Sequence, residues 1–135
     1  MKILTMCGIP GSGKTTQSLK LAADNDIDRY SFDELHVITY KNFTPHILHS
    51  LNMGRSVVAD APYTTKKTRM ELIQSINNIP DCKKILIVMN TPFDECVRRN
   101  NNRNKQLPIS LLESFNRTFE MPSLDEGWDK IQYIG

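Results

Sequence analysis

Short apolar runs alternate along the chain with longer segments in which apolar residues recur at helical spacing. The apolar runs predict strands, and the periodic segments predict helices. We expect strands at Lys2–Cys7, Arg29–Phe32, Arg55–Ala59, Lys84–Met89 and Trp128–Ile134, and helices at Lys14–Ala23, Glu34–Tyr40, Pro45–Met53, Thr64–Asn77, Thr91–Asn100 and Pro108–Phe119. Strands that alternate with helices in this way are typical of an α/β fold, here a single three-layer sandwich over residues 1–135.

Individual residues refine this pattern. Pro45 is expected to break the helical stretch that follows the second strand, because proline lacks the N–H that a helix needs. The polar segment Asp24–Asp28 is predicted to be a turn. The predicted buried face of the helix at residues 64–77 consists of Met70, Ile73 and Ile76, with Arg69 elsewhere.

The segment from Gly8 to Thr15 fits the pattern G-x-x-x-x-G-K-[ST] and lies between the first predicted strand and the first predicted helix. Its glycines let the backbone take positive φ, so that several N–H groups converge at a helix N-terminus. A polyphosphate fits such a loop, with Lys14 reaching the β- and γ-phosphates and the Thr15 hydroxyl binding magnesium. A glycine-rich turn without a ligand is the alternative. The predicted ATP-binding residues of the loop are Gly8, Pro10, Gly11, Ser12, Gly13, Lys14, Thr15 and Thr16.

Composition narrows the function classes only a little. A net charge of +2 and a pI near 8.5 are too weak to imply nucleic-acid binding on their own. The three cysteines, at positions 7, 82 and 96, form no C-x-x-C pair, so we expect free thiols in a reducing compartment. The sequence shows neither a membrane-spanning run nor a signal sequence. We therefore expect a cytoplasmic protein, or one of the host cytoplasm if a virus encodes it.

Two acidic residues follow predicted strands, Asp33 after the second and Asp60 after the third. In an open α/β sheet, ligands bind at this carboxyl edge of the strands. Asp33 is our candidate general base, because phosphoryl transfer to an alcohol needs a carboxylate beside the attacking hydroxyl; the alternative is a cap for the helix at Glu34. Asp60 follows its strand as a Walker B acid does. It would hold magnesium through water or orient a neighbouring arginine, unless it is only a solvated carboxylate.

Arg99 and Arg103 lie four residues apart, at the polar connection Asn100–Gln106 that we expect to be mobile. As a lid at about residues 98–107, they would close over the transferring phosphoryl group and neutralise its charge. A solvated basic helix face is the alternative. His46 and His49 are three apart, but no cysteine or carboxylate cluster accompanies them, so we favour ordinary histidines over a metal site.

Taken in order, these motifs resemble the P-loop kinases related to the phage 5′-polynucleotide kinase domain, a branch of the adenylate-kinase-like phosphotransferases. The matching segments are GIPGSGKTT, SFDELH, VVAD, TPFDECVRRNNNR, LPISLLESF and EMPSLDEGWDKIQYI. The resemblance implies a five-stranded parallel sheet in the order 2-3-1-4-5, ATP and Mg²⁺ as cosubstrates, and transfer of the γ-phosphate to a 5′-hydroxyl end of DNA or RNA. By this resemblance, Lys14 and Thr15 bind the phosphates and the metal, Asp33 is the general base, Asp60 supports the acceptor site, and Arg99 and Arg103 are lid residues. With the reading of the residues themselves, we expect four catalytic residues, Lys14, Asp33, Arg99 and Arg103. Arg99 and Arg103 are also expected to bind ATP, Thr15 and Asp60 to hold the metal, and Asp33, His36, Asp60 and Lys66 to face the acceptor.

One position departs from the family pattern. The residue three after the catalytic Asp is usually an Arg that holds the phosphate following the acceptor sugar, and here it is His36. A histidine cannot form the bidentate clamp of a guanidinium, which leaves room for another acceptor unless Lys66 and Lys67 compensate. Two further hypotheses therefore stand beside the polynucleotide kinase: a kinase of a nucleoside, nucleotide or other small molecule, and a nucleotide-binding ATPase or regulatory module without an acceptor.

Overall fold

The structure is a computed structural model that describes residues 1–23 and 27–135. The strands are β1 (Lys2–Cys7), β2 (Ile27–Ser31), β3 (Ser56–Asp60), β4 (Lys83–Met89) and β5 (Lys130–Ile134). The helices are α1 (Lys14–Ala22), α2 (Phe32–Leu35), α3 (Tyr40–Asn52), α4 (Lys66–Ile76), α5 (Phe93–Asn101) and α6 (Ile109–Thr118), with a 3₁₀ turn at Leu124–Glu126. Of the turn predicted over residues 24–28, residues 24–26 lie outside the described residues, and Ile27 and Asp28 belong to β2.

All five strands run parallel in the order β2-β3-β1-β4-β5, which confirms the predicted sheet. Side chains alternate between the two faces of β1. Ile3 and Cys7 join the larger core cluster, which includes residues of α3 and α4, whereas Leu4 and Met6 join a smaller cluster that packs against α1. A helical layer on each face explains why the central strands are apolar on both sides. In the described part of the chain, no helix is long and apolar enough to cross a membrane.

Pro45 lies inside α3, so the predicted break in this helix is wrong. The Thr39 side chain caps the helix by accepting a 3.3 Å hydrogen bond from the backbone N–H three residues later. An interior proline costs a helix roughly 3 kcal/mol. Phe43, Ile47 and Leu51 are buried on one face of α3, and each such side chain contributes about 1.5–3 kcal/mol when it leaves water. Three buried side chains outweigh one proline, and the helix continues through it.

Ile73 and Ile76 are buried in α4 as predicted, but Met70 is 42% exposed and Arg69 is fully buried, so the predicted face of this helix is wrong at these two positions. The Arg69 Nε donates to Glu126 at 2.8 Å. Its terminal nitrogens donate to the carbonyls of Tyr63, at 2.9 Å, and Glu120, at 2.8 Å. A buried guanidinium is tolerated when it is paired and hydrogen-bonded in this way. A helical pattern that counts only apolar residues misses such a group.

Candidate active site

A cleft of about 700 Å³ opens at the carboxyl edge of the sheet. The phosphate loop, residues 8–15, lies between a wall formed by the ends of β2 and β3 with α2 and a wall formed by the end of β4 with α5 and the residues after it. The predicted site residues that line the cleft are Pro10, Gly11, Ser12, Gly13, Lys14, Thr15, Thr16, Asp33, Asp60, Arg99 and Arg103. Three other predicted site residues, Gly8, His36 and Lys66, do not line it.

Two glycines give the phosphate loop its shape. Gly11 and Gly13 have φ values of 84° and 95°, in the left-handed region that side chains disfavour. A Cβ at Gly11 would lie 2.7 Å from the backbone oxygen of Cys96, so α5 packs directly against the loop. Gly13 is the N-cap residue of α1, whose first N–H groups have no partner within the helix. The loop therefore presents backbone donors to an anion.

Gly8 shapes the loop from beneath rather than from within the cleft. Its N–H donates a 2.9 Å hydrogen bond to the carbonyl of Pro62, which joins the loop to the segment after β3. A Cβ at this position would lie 2.6 Å from Ser12 Oγ and 3.0 Å from Met89 Cβ. Gly8 is thus required by close packing.

Lys14 lies at the start of α1 among carboxylates. Its Nζ donates to the Ile9 carbonyl at 3.2 Å. Burial lowers the pKa of Lys14, and the negative charges of Asp60 and Asp33 counteract this effect. Both carboxylates therefore act on the ammonium group through the cleft. A polyphosphate would offer Lys14 charge-assisted hydrogen bonds in place of one neutral carbonyl.

Asp33 is the second residue of α2, and its exposed side chain lines the cleft. The cap of this helix is Ser31, whose Oγ accepts a 3.1 Å hydrogen bond from the N–H of Glu34. The alternative in which Asp33 only caps the helix is therefore wrong. The helix begins at Phe32, which was expected to end β2, and stops at His36 with φ 54°. It is thus much shorter than the predicted helix over residues 34–40.

Asp60 holds an arginine at the end of β3. The Arg29 Nη2 lies 2.9 Å from Asp60 Oδ2, and the two side chains are only 9% and 6% exposed. Ser18 Oγ lies 2.8 Å from the same carboxylate oxygen and accepts a 2.9 Å hydrogen bond from Arg29 Nε. The third nitrogen of Arg29 reaches Glu34 at 2.6 Å. One guanidinium thus joins β2, α1, α2 and β3.

Sequence reasoning missed Arg29. Its partner is set by the parallel register of β2 and β3, in which Arg29 lies beside Val58 and Ser31 lies beside Asp60. The sequence offers one signal, an arginine within a predicted parallel strand, where both faces are normally apolar. Thr91 was also missed as a cleft residue, and its hydroxyl donates to the Ser12 carbonyl at 2.7 Å.

The two predicted lid arginines lie at the end of α5. Arg99 Nη1 donates to the Gly11 carbonyl at 3.2 Å, and its Nε donates to Glu95 at 3.1 Å. Hydrogen bonds from Arg98 and Arg99 lower the pKa of Glu95 to about 2. Arg103 follows α5 by two residues and lines the cleft as well. Both candidates therefore lie beside the phosphate loop.

A buried asparagine closes the base of the predicted lid. The Asn100 amide nitrogen donates to the Leu107 carbonyl, and its oxygen accepts from the Leu107 N–H, each at 2.9 Å. Asn100 lies in α5, as in the helix predicted over Thr91–Asn100, but it is only 3% exposed and anchored, although it was also expected to begin a mobile polar connection. The two bonds close the loop over residues 101–106 into a small hairpin-like turn.

Lys66 is the exposed first residue of α4, and its backbone N–H donates to Glu120 Oε1 at 3.3 Å. Neither Lys66 nor Lys67 lines the cleft. We expected these lysines to supply the positive charge that His36 does not provide. They lie outside the cleft lining and therefore do not supply it there.

Comparison with known proteins places this architecture in a family. A family model described as an AAA domain matches residues 3–122. The chain belongs to this family. It is also 24% identical over 139 residues to the bifunctional polynucleotide phosphatase/kinase of Schizosaccharomyces pombe, an alignment that covers 98% of this chain and 33% of that relative. The chain thus spans a third of the length of the relative that it matches.

Solved structures share the fold of this AAA domain at low sequence identity. Kti12 of Chaetomium thermophilum in complex with ADP-AlF3 superimposes with a TM-score of 0.78 at 16% identity, covering 98% of this chain and 88% of that one. A fungal RNA kinase superimposes with a TM-score of 0.77 at 17% identity, covering 99% of this chain and 73% of that one. A gluconokinase from Sinorhizobium meliloti 1021 superimposes with a TM-score of 0.68 at 17% identity, covering 98% of this chain and 81% of that one. The AAA domain therefore has a P-loop kinase fold, which is a nucleotide-binding fold.

The lining of the cleft on the α5 side is partly apolar. Met89 at the end of β4, Leu107 and Ile134 of β5 line it together with Gly135. These residues flank the phosphate loop on the side away from Asp33. The cleft thus has a half beside β2 and β3, where the residues expected to face an acceptor lie and which we call the acceptor half, and a half beside β4 and β5, which we call the donor half.

Proposed function

We propose that this AAA domain is an ATP-dependent kinase that transfers the γ-phosphate of ATP to a 5′-hydroxyl end of DNA or RNA. The observation that carries the proposal is the convergence of the phosphate loop, Asp33, Arg99 and Arg103 on a single cleft. The name of the yeast relative and that of the fungal RNA kinase favour a polynucleotide acceptor. Because the chain spans a third of that relative, the proposal concerns the kinase reaction alone.

In the proposed reaction, ATP binds with its phosphates on the backbone donors of the phosphate loop. Asp33 accepts the proton of the attacking hydroxyl, and the oxygen of that hydroxyl displaces ADP from the γ-phosphorus in line. Lys14, Arg99 and Arg103 neutralise the negative charge that spreads over the transferring group. Asp33 is suited to this role because it is exposed in the cleft and is not used as a helix cap.

Magnesium fits the proposed site. Mg²⁺ takes oxygen ligands and commonly uses one or two protein groups together with phosphates and water. Thr15 offers an exposed hydroxyl at the end of the loop. The hydrogen bonds that Asp60 accepts from Arg29 and Ser18 both use Oδ2, which leaves Oδ1 to face a hydrated ion. When bound, the ion would neutralise charge on the β- and γ-phosphates.

A small-molecule acceptor is the second candidate. The structural likeness to a gluconokinase shows that the same fold occurs in a kinase of a small acid. A nucleotide-binding ATPase or regulatory module without an acceptor is the candidate of a different class. It predicts ATP hydrolysis that does not depend on any acceptor.

Labelled ATP tests these candidates directly. We expect label transfer to 5′-hydroxyl oligonucleotides of DNA or RNA when the protein is offered such oligonucleotides, tRNA, nucleosides, nucleoside monophosphates and gluconate. Hydrolysis without acceptor at the rate of transfer would instead favour the regulatory module.

The Asp33→Asn variant is the sharpest test of the proposed base. We expect the transfer rate to fall by roughly 10² to 10⁴ while ATP affinity changes little, because only the proton acceptor is removed. Asp94→Asn is the matched control, since Asp94 is an exposed acid in the first turn of α5 that does not line the cleft. Loss of ATP binding in Asp33→Asn, or an equal effect of Asp94→Asn, would contradict the assignment.

A further inference from the structure

The acceptor half of the cleft contains two carboxylates and no cationic residue among those that the structure describes. Its lining residues are Ser31, Phe32, Asp33, Asp60, Ala61 and Pro62. The cations of the lining, Lys14, Arg99 and Arg103, belong to the phosphate loop and to the α5 side. Arg29 is paired with Asp60 and Glu34, is 9% exposed and does not line the cleft. The charge of Asp60 is thus offset by Arg29, whereas among the described residues no cation of the acceptor half offsets the charge of Asp33.

This charge distribution disfavours an acceptor that carries a negative charge next to its reacting hydroxyl. Such a group, for example the carboxylate of a small sugar acid, would lie beside the carboxylate of Asp33, and like charges at close range repel. An alcohol without a charge near the reacting oxygen avoids this repulsion. The histidine at position 36 agrees with this charge distribution. It stands where the family pattern has an arginine, so the acceptor half has no guanidinium to hold a phosphate.

Phe32 is the aromatic residue of the acceptor half. It directly precedes Asp33, lines the cleft and is only partly buried, although it also packs against the larger core cluster. Its ring is held by Phe43, at 4.8 Å between centroids and nearly perpendicular, and by Tyr40, at 5.0 Å. Pro62 adds a second apolar surface from the β3 side. A ring fixed by its neighbours can stack on a flat group at little cost in side-chain entropy.

We propose that Phe32 and Pro62 form a stacking site for the terminal nucleobase of the acceptor, whose uncharged 5′-hydroxyl then faces Asp33. The proposal rests on the proposed kinase function and deepens it. The acceptor is recognised by its terminal nucleoside and not by a phosphate held in the cleft. A ring-bearing alcohol is therefore the substrate class of the acceptor half.

Acceptors that differ in one group test this site. The purified protein is assayed for kcat/KM with a 5′-hydroxyl oligonucleotide, with the same oligonucleotide lacking its terminal base, with the free nucleoside, with a nucleoside 3′-monophosphate, which keeps the 5′-hydroxyl, and with gluconate. Base stacking in nucleic-acid sites corresponds to a change of about 5- to 150-fold. We expect loss of the terminal base to lower kcat/KM within that range, and the two anionic acceptors to react more slowly than the nucleoside.

Variants of Phe32 test whether the dependence of kcat/KM on the terminal base comes from the Phe32 ring. Phe32→Leu is expected to lower kcat/KM about fivefold or more for the complete oligonucleotide, to leave the abasic one unchanged and to leave the KM for ATP unchanged. Phe32→Tyr retains the ring and should restore the rate. Phe115→Leu is the matched control, because Phe115 is partly buried in α6 and does not line the cleft. Thermal melting confirms that each variant is folded.

The outcomes separate this proposal from the function on which it rests. Equal kcat/KM values for the complete and the abasic oligonucleotide, or a higher value for an anionic acceptor than for the nucleoside, would overturn the stacking site. The proposed kinase activity would still stand. Phosphorylation of the free nucleoside alone, with the same dependence on Phe32, would support the stacking site and overturn the polynucleotide part of the function. Transfer to no acceptor would overturn both.

Discussion

At the scale of single residues, Tyr63 carries the clearest conformational strain. It follows β3, has φ 46° and is fully buried, although bulky side chains disfavour the left-handed region. Its backbone is held by the Tyr40 hydroxyl, which accepts a 2.9 Å hydrogen bond from the Tyr63 N–H, and by Arg69. Its own hydroxyl is buried and finds no partner among the described residues. Burial raises the pKa of Tyr63 well above its ordinary value.

The two neighbouring tyrosines should respond oppositely to loss of the hydroxyl. Tyr63→Phe is expected to raise the free energy of unfolding by about 1 kcal/mol, because an unpartnered buried hydroxyl is removed. Tyr40→Phe is expected to lower it by about 1 kcal/mol, because the Tyr63 N–H loses its acceptor. The rings lie 4.7 Å apart, so each change is the control for the other. Denaturant unfolding measures both, and a loss of stability in Tyr63→Phe would contradict the account.

At the scale of secondary-structure elements, the acceptor half depends on the contacts of Arg29. The residue lies in β2, but its hydrogen bonds reach α1, α2 and the end of β3. The short helix α2 carries Asp33 and has few residues of its own to hold it in place. We infer that Arg29 is a positioning residue for Asp60 and for α2.

The Arg29→Gln variant tests this role. We expect the free energy of unfolding to fall by about 3 kcal/mol, because Asp60 is left buried without its cation. The kcat should fall more than the KM for ATP rises, because Arg29 donates to Ser18, Glu34 and Asp60 and to no residue of the phosphate loop. Arg55→Gln is the control: Arg55 pairs with Asp28 at 2.8 Å but is 41% exposed, and such pairs contribute at most about 1 kcal/mol. Equal effects of the two changes on stability and kcat would contradict the assignment.

The sequence predicted most elements because their signals are local. The strands β1, β3 and β4 contain short apolar runs, and the phosphate loop is specified by glycines and a lysine close together in the chain. The break at Pro45 was predicted wrongly because the burial of one face of α3, which outweighs the proline, depends on the folded core. The helix over residues 34–40 was overestimated since His36 leaves the helical conformation.

At the scale of the whole molecule, one buried ion pair connects distant parts of the chain. Arg69 of α4 is joined to Glu126 near the C-terminal strand and to the carbonyl of Tyr63 beside the cleft. Burial raises the pKa of Glu126, but hydrogen bonds from Arg69 and Trp128 outweigh it, so this pKa lies below its ordinary value. The pair therefore stabilises the fold above the unfolded pKa of a glutamate, and this contribution is lost as the pH falls below it.

Removal of the Glu126 carboxylate should lower the free energy of unfolding strongly at neutral pH and less at acidic pH. Glu126→Gln is expected to lower the free energy of unfolding by about 3–5 kcal/mol at pH 7, because Arg69 is left as an unpaired buried charge. The difference from the unmodified protein should shrink as the pH falls through the low pKa of Glu126. Glu120→Gln is the control, since that side chain is exposed. Unfolding curves at several pH values measure the effect, and a difference independent of pH would contradict it.

Long-range pairs of this kind mark the limit of sequence reasoning for the site. Lys14 and Thr15 were predicted from the loop pattern, Asp33 and Asp60 from their places after predicted strands, and Arg99 and Arg103 from their spacing of four residues beside a polar segment. All six line the cleft. Arg29 and Arg69 act through partners that are 31 and 57 residues away in the chain. Their meaning depends on strand register and helix rotation, which single-sequence patterns do not contain.

The packing of Gly11 against Cys96 has a consequence for turnover. Because α5 packs directly against the loop, we expect little order to be gained on binding, and in the proposed reaction the same backbone donors would also hold the β-phosphate of ADP after transfer. ADP should therefore compete well with ATP. The departure of ADP, rather than bond cleavage, would then set the pace of repeated cycles.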